Sequence, residues 1–61
     1  MSKRFECELE TAGYRLKVSV FSERRSAVEV MARQRAVQLL KEMYGLNRRA
    51  ADLNVITIQE K

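Results

Sequence analysis

The feature that most constrains this chain is the alternation of apolar and polar side chains on both sides of a glycine. Apolar residues occupy every second position in segments 5–9 and 14–20, with charged residues or serine between them. A period of two is typical of β-strands that bury one face. The intervening Thr11-Ala12-Gly13 supplies a turn, because Gly13 readily adopts a positive φ. The pattern therefore predicts a β-hairpin over residues 4–21.

The charges of the two strands indicate their register. If Glu10 lies opposite Arg15, then Glu8 lies opposite Lys17 and the apolar side chains all fall on the other face. A shift by one residue would set apolar side chains opposite charged ones. The charged face is then close to neutral, and only Phe21 has the parity to add an exposed aromatic ring to it. RNA-reading sheets present several aromatic rings and excess positive charge, so we interpret this sheet as scaffold.

The middle of the chain predicts one helix over residues 26–44. No glycine or proline interrupts it, and Ser26 and Glu29 have the spacing of a capping box. Ser22 offers an alternative start one turn earlier, and Gly45 has the position of a helix-terminating glycine. One apolar sector emerges at 100° per residue, and we expect it to cover the sheet. Its members are Val28, Ala32, Ala36, Leu39, Leu40 and Met43.

Three more residues, Val30, Val37 and Tyr44, widen this apolar sector beyond what one small sheet should cover. In one interpretation they lean over the edge of the sheet. In the other they form a second contact surface, for a partner or for another copy of the chain. We favour self-association as a homodimer, because a domain with so small a core has few other means of stabilisation.

The segment 53–59 is rich in β-branched residues and predicts a third strand, with Ile56 and Ile58 facing the helix and Val55 facing out. A right-handed crossover can place this strand beside the first one. We therefore predict an α+β fold, a single small ββαβ domain over residues 1–61. Its three-stranded antiparallel sheet has the order 2-1-3, and one helix packs on one face. The hairpin should add its inward side chains to the core, namely Phe5, Cys7, Leu9, Leu16, Val18 and Val20.

The reactive side chains argue against catalysis. The chain has no histidine and one cysteine, which excludes an internal disulfide and ordinary structural zinc sites and removes the usual general base. Cys7 has inward parity, which indicates a buried hydrophobic residue rather than a nucleophile. We interpret Glu6, Glu8 and Glu10 as solvated partners of cross-strand cations rather than as metal or acid–base ligands. We expect a protein that is not an enzyme and uses no cofactor, metal ion or small-molecule substrate.

The excess positive charge is concentrated in residues 22–49. This segment holds seven cations, six of them arginine, and three glutamates, so its charge of +4 equals that of the whole chain. Arginine donates bidentately to phosphate and carboxylate groups, which indicates a polyanion or an acidic protein surface as the partner. Surplus charge also serves solubility alone. The candidate contacts, scattered along the segment rather than gathered on one groove-reading helix face, are Arg24, Arg25, Arg35, Arg48 and Arg49.

Two functions from different classes remain open. The first, which we favour for its arginine excess, is a small basic module that binds nucleic-acid phosphates without catalysis. The alternative is a small protein–protein interaction protein, an adaptor or inhibitor of the phage or plasmid accessory type. It would dock through the widened helix face or an exposed sheet edge. No apolar run approaches the roughly 20 residues of a membrane-spanning helix, and segment 1–4 leads into no signal-peptide core, so we expect a cytoplasmic protein with no membrane contact.

Overall fold

The computed structural model describes residues 2–61 and has the predicted ββαβ topology. The chain forms strand β1 (Lys3–Thr11), strand β2 (Tyr14–Ser22), helix α1 (Arg25–Tyr44), a short 3-10 helix (Ala50–Asp52) and strand β3 (Asn54–Glu60). The sheet has the order β2-β1-β3 with antiparallel neighbours, and α1 packs on one face, mainly over β2. Each predicted hairpin, helix and strand end lies within one residue of the observed one. Met1, which the predicted domain range includes, lies outside the described residues.

The hairpin has the predicted register, with Glu10 opposite Arg15 and Glu8 opposite Lys17. Its turn consists of two residues, Ala12 and Gly13, whose φ angles are 46° and 84°. Two positive φ values are the mark of a type I′ turn, whose twist matches that of the strands. Gly13 adopts this conformation freely, whereas the Cβ atom of Ala12 makes it strained.

The core lies between α1 and the inner face of the sheet. Apart from Leu53, its buried apolar residues were all predicted: Phe5, Cys7, Leu9, Leu16, Val18, Val20, Val28, Ala32, Ala36 and Leu40. Leu39 is partly buried against them. Leu53 had only been placed at the start of the third strand, but it is 1% exposed and belongs to the core. Arg33 Nε donates a hydrogen bond of 3.2 Å to the Leu53 carbonyl and holds this segment against α1.

The predicted capping box at the start of α1 is wrong. The helix begins at Arg25, so Ser26 already lies in the first turn, and the N-cap Arg24 makes no side-chain capping bond. The Ser22 hydroxyl instead accepts a hydrogen bond of 3.1 Å from the Arg24 amide and donates one of 2.8 Å to the Arg24 carbonyl. This local bonding at the end of β2 directs the chain into the helix earlier than the capping pattern indicates.

The end of α1 follows the prediction at Gly45 but not at Met43. Gly45 has a φ of 68°, and its amide donates to the Lys41 carbonyl at 3.1 Å. The next residue, Leu46, folds back against the core. Met43 was predicted to be buried, yet it is 65% exposed, because the core ends at Leu40 and does not extend beneath the last helical turn.

The predicted faces of β3 are also partly wrong, because a β-bulge changes the alternation. Thr57 lies opposite Glu8 and Val55 opposite Leu9, so Ile56 is an extra residue between two consecutive pairs. Val55 and Ile58 consequently pack against the core, and Ile56 is 43% exposed. A bulge inserts one residue into a strand and reverses the parity of all residues beyond it.

Candidate functional site

The candidate arginines lie at separate places along α1 and in the segment after it. Arg24 and Arg25 stand at the start of α1, and Arg48 and Arg49 follow its end in the sequence. After Gly45 the chain turns back along the helix, since Ala50 and Ala51 lie beside Val30 and the Leu53 carbonyl accepts a hydrogen bond from Arg33. Arg35 lies midway along α1, about 15 Å from its start. The five side chains therefore do not form one cluster, in agreement with the scatter predicted from the sequence.

Ion pairs divide the cations into two classes. Four cations on or beside the sheet pair with glutamates: Arg4 lies 2.9 Å from Glu6, Arg15 lies 3.3 Å from Glu10, Lys61 lies 3.8 Å from Glu6 and Lys3 lies 3.9 Å from Glu60. Arg33 pairs with Glu29, one helical turn earlier, at 3.6 Å. Of the candidate arginines, only Arg49 has a carboxylate neighbour, Asp52 at 3.8 Å. Within residues 2–61, no ion pair of 4.0 Å or less involves Arg24, Arg25, Arg35 or Arg48.

Arg24 and Arg25 occupy a helix start that already carries partial positive charge. The first turn of α1 contains no acidic residue, and the N-cap provides no side-chain acceptor for the free amides. Both arginines are exposed. Cations at a helix N-terminus oppose the helix dipole and cost a few tenths of a kcal/mol. Among residues 2–61, no ion pair of 4.0 Å or less offsets this cost at either arginine.

The side chains of the other three candidate arginines, Arg35, Arg48 and Arg49, have closer contacts within the fold. Arg35 donates a 3.0 Å hydrogen bond to the side chain of Gln38 and lines a shallow groove between α1 and β2. Arg48 is half-buried, and its Nε atom is buried without a hydrogen-bond partner among the described residues. Arg49 points into solvent apart from its contact with Asp52. Arg35 and Arg49 are therefore free to meet a ligand, and Arg48 is only partly so.

The three residues of the widened helix sector differ in exposure. Val30 is 55% exposed and Tyr44 is 50% exposed, whereas Val37 packs against the core. The Tyr44 ring also contacts the Tyr14 ring, with centroids 5.3 Å apart and planes tilted by 48°. The sequence analysis missed this aromatic pair. Its signal was positional, because Tyr14 follows the hairpin turn and Tyr44 ends the helix, at the same end of the domain.

The outer face of the sheet carries both acidic and basic side chains, and the described residues there form no arrangement typical of a catalytic or metal-binding site. A shallow depression there is lined by Glu6, Glu8, Lys17 and Ser19 together with polar residues of β3. Beneath it lies Cys7, which is 2% exposed, and burial raises the pKa of its thiol, partly offset by the nearby charge of Arg25. Over residues 2–61, no group of three histidine, cysteine or acidic residues could hold a metal ion. The helix of the described region is not apolar enough over a sufficient length to cross a membrane.

Comparisons of this chain with protein-family models, curated proteins and solved structures find no match. Its function has to be inferred from the placement and chemistry of its own residues.

Proposed function

We propose that this protein is a non-catalytic module that binds nucleic-acid phosphates through its arginines. The observation that supports the proposal is the division of the cations. Arg24, Arg25, Arg35 and Arg48 have no ion-pair partner within 4.0 Å in the described residues, whereas Lys3, Arg4, Arg15 and Lys61 each lie that close to a glutamate. A guanidinium group that neutralises no carboxylate of its own fold keeps donors for bidentate bonds to phosphate. This applies fully to Arg24 and Arg25, and in part to Arg35, which bonds to Gln38, and to the half-buried Arg48.

Arg24 and Arg25 have the leading role in this proposal. They are adjacent and exposed, and they stand at a helix start whose dipole they oppose. A bound phosphate would remove that repulsion and accept bonds from both side chains. Arg48 and Arg49, in the segment that follows α1, would meet a different part of the same polyanion. The proposal places the protein in the cytoplasm, where a lone cysteine stays reduced.

The test measures binding of labelled duplex DNA, single-stranded DNA and RNA by fluorescence anisotropy at several salt concentrations. Each phosphate contact releases condensed counterions, so about four contacts on duplex DNA should give a slope of log affinity against log salt of roughly −3 to −4. Replacing both Arg24 and Arg25 with glutamine should make the slope shallower by about 2. The loss should be similar for all sequences, because phosphate contacts carry no base information.

A matched control removes the same charge from paired positions. Arg4→Gln with Arg15→Gln also eliminates two guanidinium groups, but both are engaged by glutamates at 2.9 and 3.3 Å. We expect this control to change the slope by less than about 1. An equal loss in both variants would show a response to net charge rather than local contacts. Absence of binding to all three nucleic acids at low salt would overturn the proposal.

A second candidate function is docking on another protein through the helix face. The exposure of Val30 and Tyr44, at 55% and 50%, supports it, because apolar side chains there gain from being covered. Val37 is unsuitable for the test, since it packs against the core. A partner that is captured equally with and without nuclease, and is lost when Val30 and Tyr44 are replaced with lysine, would favour this candidate over the first.

A further inference from the structure

The two edges of the sheet differ in how well they could accept another strand. Strand β3 has seven residues and is interrupted by the bulge at Ile56. Strand β2 has nine residues and pairs with β1 without any irregularity. Bulges and short strands are common devices that prevent sheet edges from pairing with other chains. The edge of β2 has neither device.

The hairpin register determines which backbone groups the free edge of β2 presents. Tyr14 pairs with Thr11 directly beside a two-residue turn, so the amide and carbonyl of Tyr14 point toward β1. Orientation alternates along a strand, and the groups of Leu16, Val18 and Val20 point the same way. The groups that face outward at the free edge belong to Arg15, Lys17, Ser19 and Phe21.

We propose that two copies of this chain pair antiparallel through the free edges of β2. The result is a continuous six-stranded sheet with both helices on one face and a two-fold axis at Val18. Because the apolar faces of both copies must coincide, residues of like parity have to lie opposite each other. This requirement excludes every odd shift of the register and leaves few alternatives.

The charges of the facing residues and the number of residues that gain partners favour one of the remaining registers. With Val18 opposite Val18 of the second copy, all nine residues of β2 have partners. Lys17 then lies opposite Ser19, and Arg15 lies opposite Phe21. The four outward-facing residues of each copy exchange about eight backbone hydrogen bonds in total. A shift centred on Lys17 sets two lysines face to face, and a shift centred on Ser19 leaves Tyr14 and Arg15 of each copy without partners.

The side chains along this edge fit the same arrangement. Phe21 is 62% exposed at the end of β2, and the register brings it beside Arg15 of the second copy, where a cation–π contact can form. The groove between β2 and α1, lined by Phe21, Met31, Arg35 and Gln38, would lie beside the second copy. Lys17, a residue type that often discourages edge pairing, lies directly opposite a serine here, and Lys17 of the second copy is a diagonal neighbour.

The test is sedimentation of nuclease-treated protein from low micromolar to millimolar concentration, so its outcome does not depend on nucleic-acid binding. We expect a reversible monomer–dimer equilibrium. Ser19→Lys should weaken the dimer at least tenfold, because it places lysine opposite Lys17 of the second copy. Within its own chain the new lysine lies opposite Glu6, so the fold should not suffer.

The matched control is Thr57→Lys, which adds the same charge to the same face of the sheet, opposite Glu8 and away from the edge of β2. It should change the dissociation constant less than twofold. A chain that stays monomeric at millimolar concentration overturns the proposal. So does a dimer that is insensitive to Ser19→Lys, or one that both substitutions weaken equally.

Discussion

The hairpin and the segment that follows Gly45 respond differently to the same rule of alternation. In the hairpin, the six residues predicted to be in the core, from Phe5 to Val20, are all buried, and of the apolar residues with inward parity only Tyr14, beside the turn, is exposed. After Gly45, parity assigns Ile56 to the core, but the bulge turns Val55 inward in its place. Both regions are β-structure in the same sheet, so the difference does not arise from strand propensity.

The difference lies in what sets each register. A two-residue turn joins β1 and β2, so their pairing is fixed by neighbouring residues and by facing charges such as Glu10 and Arg15. Strand β3 reaches β1 only after the whole of α1, and its register is set by where the helix end and Leu53 place the chain. Local contacts make alternation a reliable guide, and long-range packing can override it.

Deleting one residue from each region should give the largest difference in stability between the two. Removal of Ser19 turns Val20 outward and Phe21 toward the core, so we expect loss of the cooperative unfolding transition in circular dichroism. Removal of Ile56 takes out the bulged residue and leaves Thr57 opposite Glu8 and Val55 opposite Leu9. We expect this variant to fold, with a free energy of unfolding changed by about 1 kcal/mol or less. Unfolding of both variants would show that the bulge is essential to the fold.

Core truncations should show that the C-terminal segment contributes as much as the hairpin. We expect Leu53→Ala to lower the free energy of unfolding by about 2–5 kcal/mol, as for Leu16→Ala or Leu40→Ala, because each leaves a cavity in a small core. Met43→Ala, at a position that is 65% exposed, should change it by less than about 0.5 kcal/mol. Urea denaturation measures all four. A large loss for Met43→Ala would mean that the last helical turn is covered.

Two substitutions in the hairpin turn should change the free energy of unfolding by small amounts of opposite sign. Ala12→Asn should raise the free energy of unfolding by about 0.5–1 kcal/mol, because asparagine tolerates a positive φ and Asn-Gly is the preferred type I′ sequence. Gly13→Ala should lower it by about 1 kcal/mol, because alanine is strained at a φ of 84°. Thermal melts of the two variants measure both shifts. Shifts of the same sign would contradict the assigned turn.

Much of the fold could be predicted from the sequence, because its signals are local. The strands, the helix, the register of Glu10 with Arg15 and the stop at Gly45 all depend on residues close together in the chain. The burial of Leu53 could not be predicted, since it depends on the 3-10 helix and on a bond from Arg33. The start of α1 was misplaced because Ser22 bonds to the backbone of Arg24, a competing local interaction.

Less of the candidate site could be predicted. The sequence identified the arginine-rich segment and its scatter, but it could not separate paired from unpaired cations. That distinction depends on side-chain neighbours, such as Glu6 beside Arg4 and Glu10 beside Arg15, and on the lack of an ion pair of 4.0 Å or less at Arg25 among residues 2–61. The open edge of β2 became apparent only when the bulge in β3 distinguished the two edges.

Because Cys7 is buried, the rate at which its thiol is alkylated can report how often the folded domain opens. The only thiol of the chain is 2% exposed, and burial raises its pKa, so an alkylating reagent meets almost no reactive thiolate in the closed state. Alkylation must then wait for the sheet to separate from the helix, and one mass increment per chain records each event. Its rate in excess reagent reports how often the intact domain opens, with no added fluorophore or denaturant.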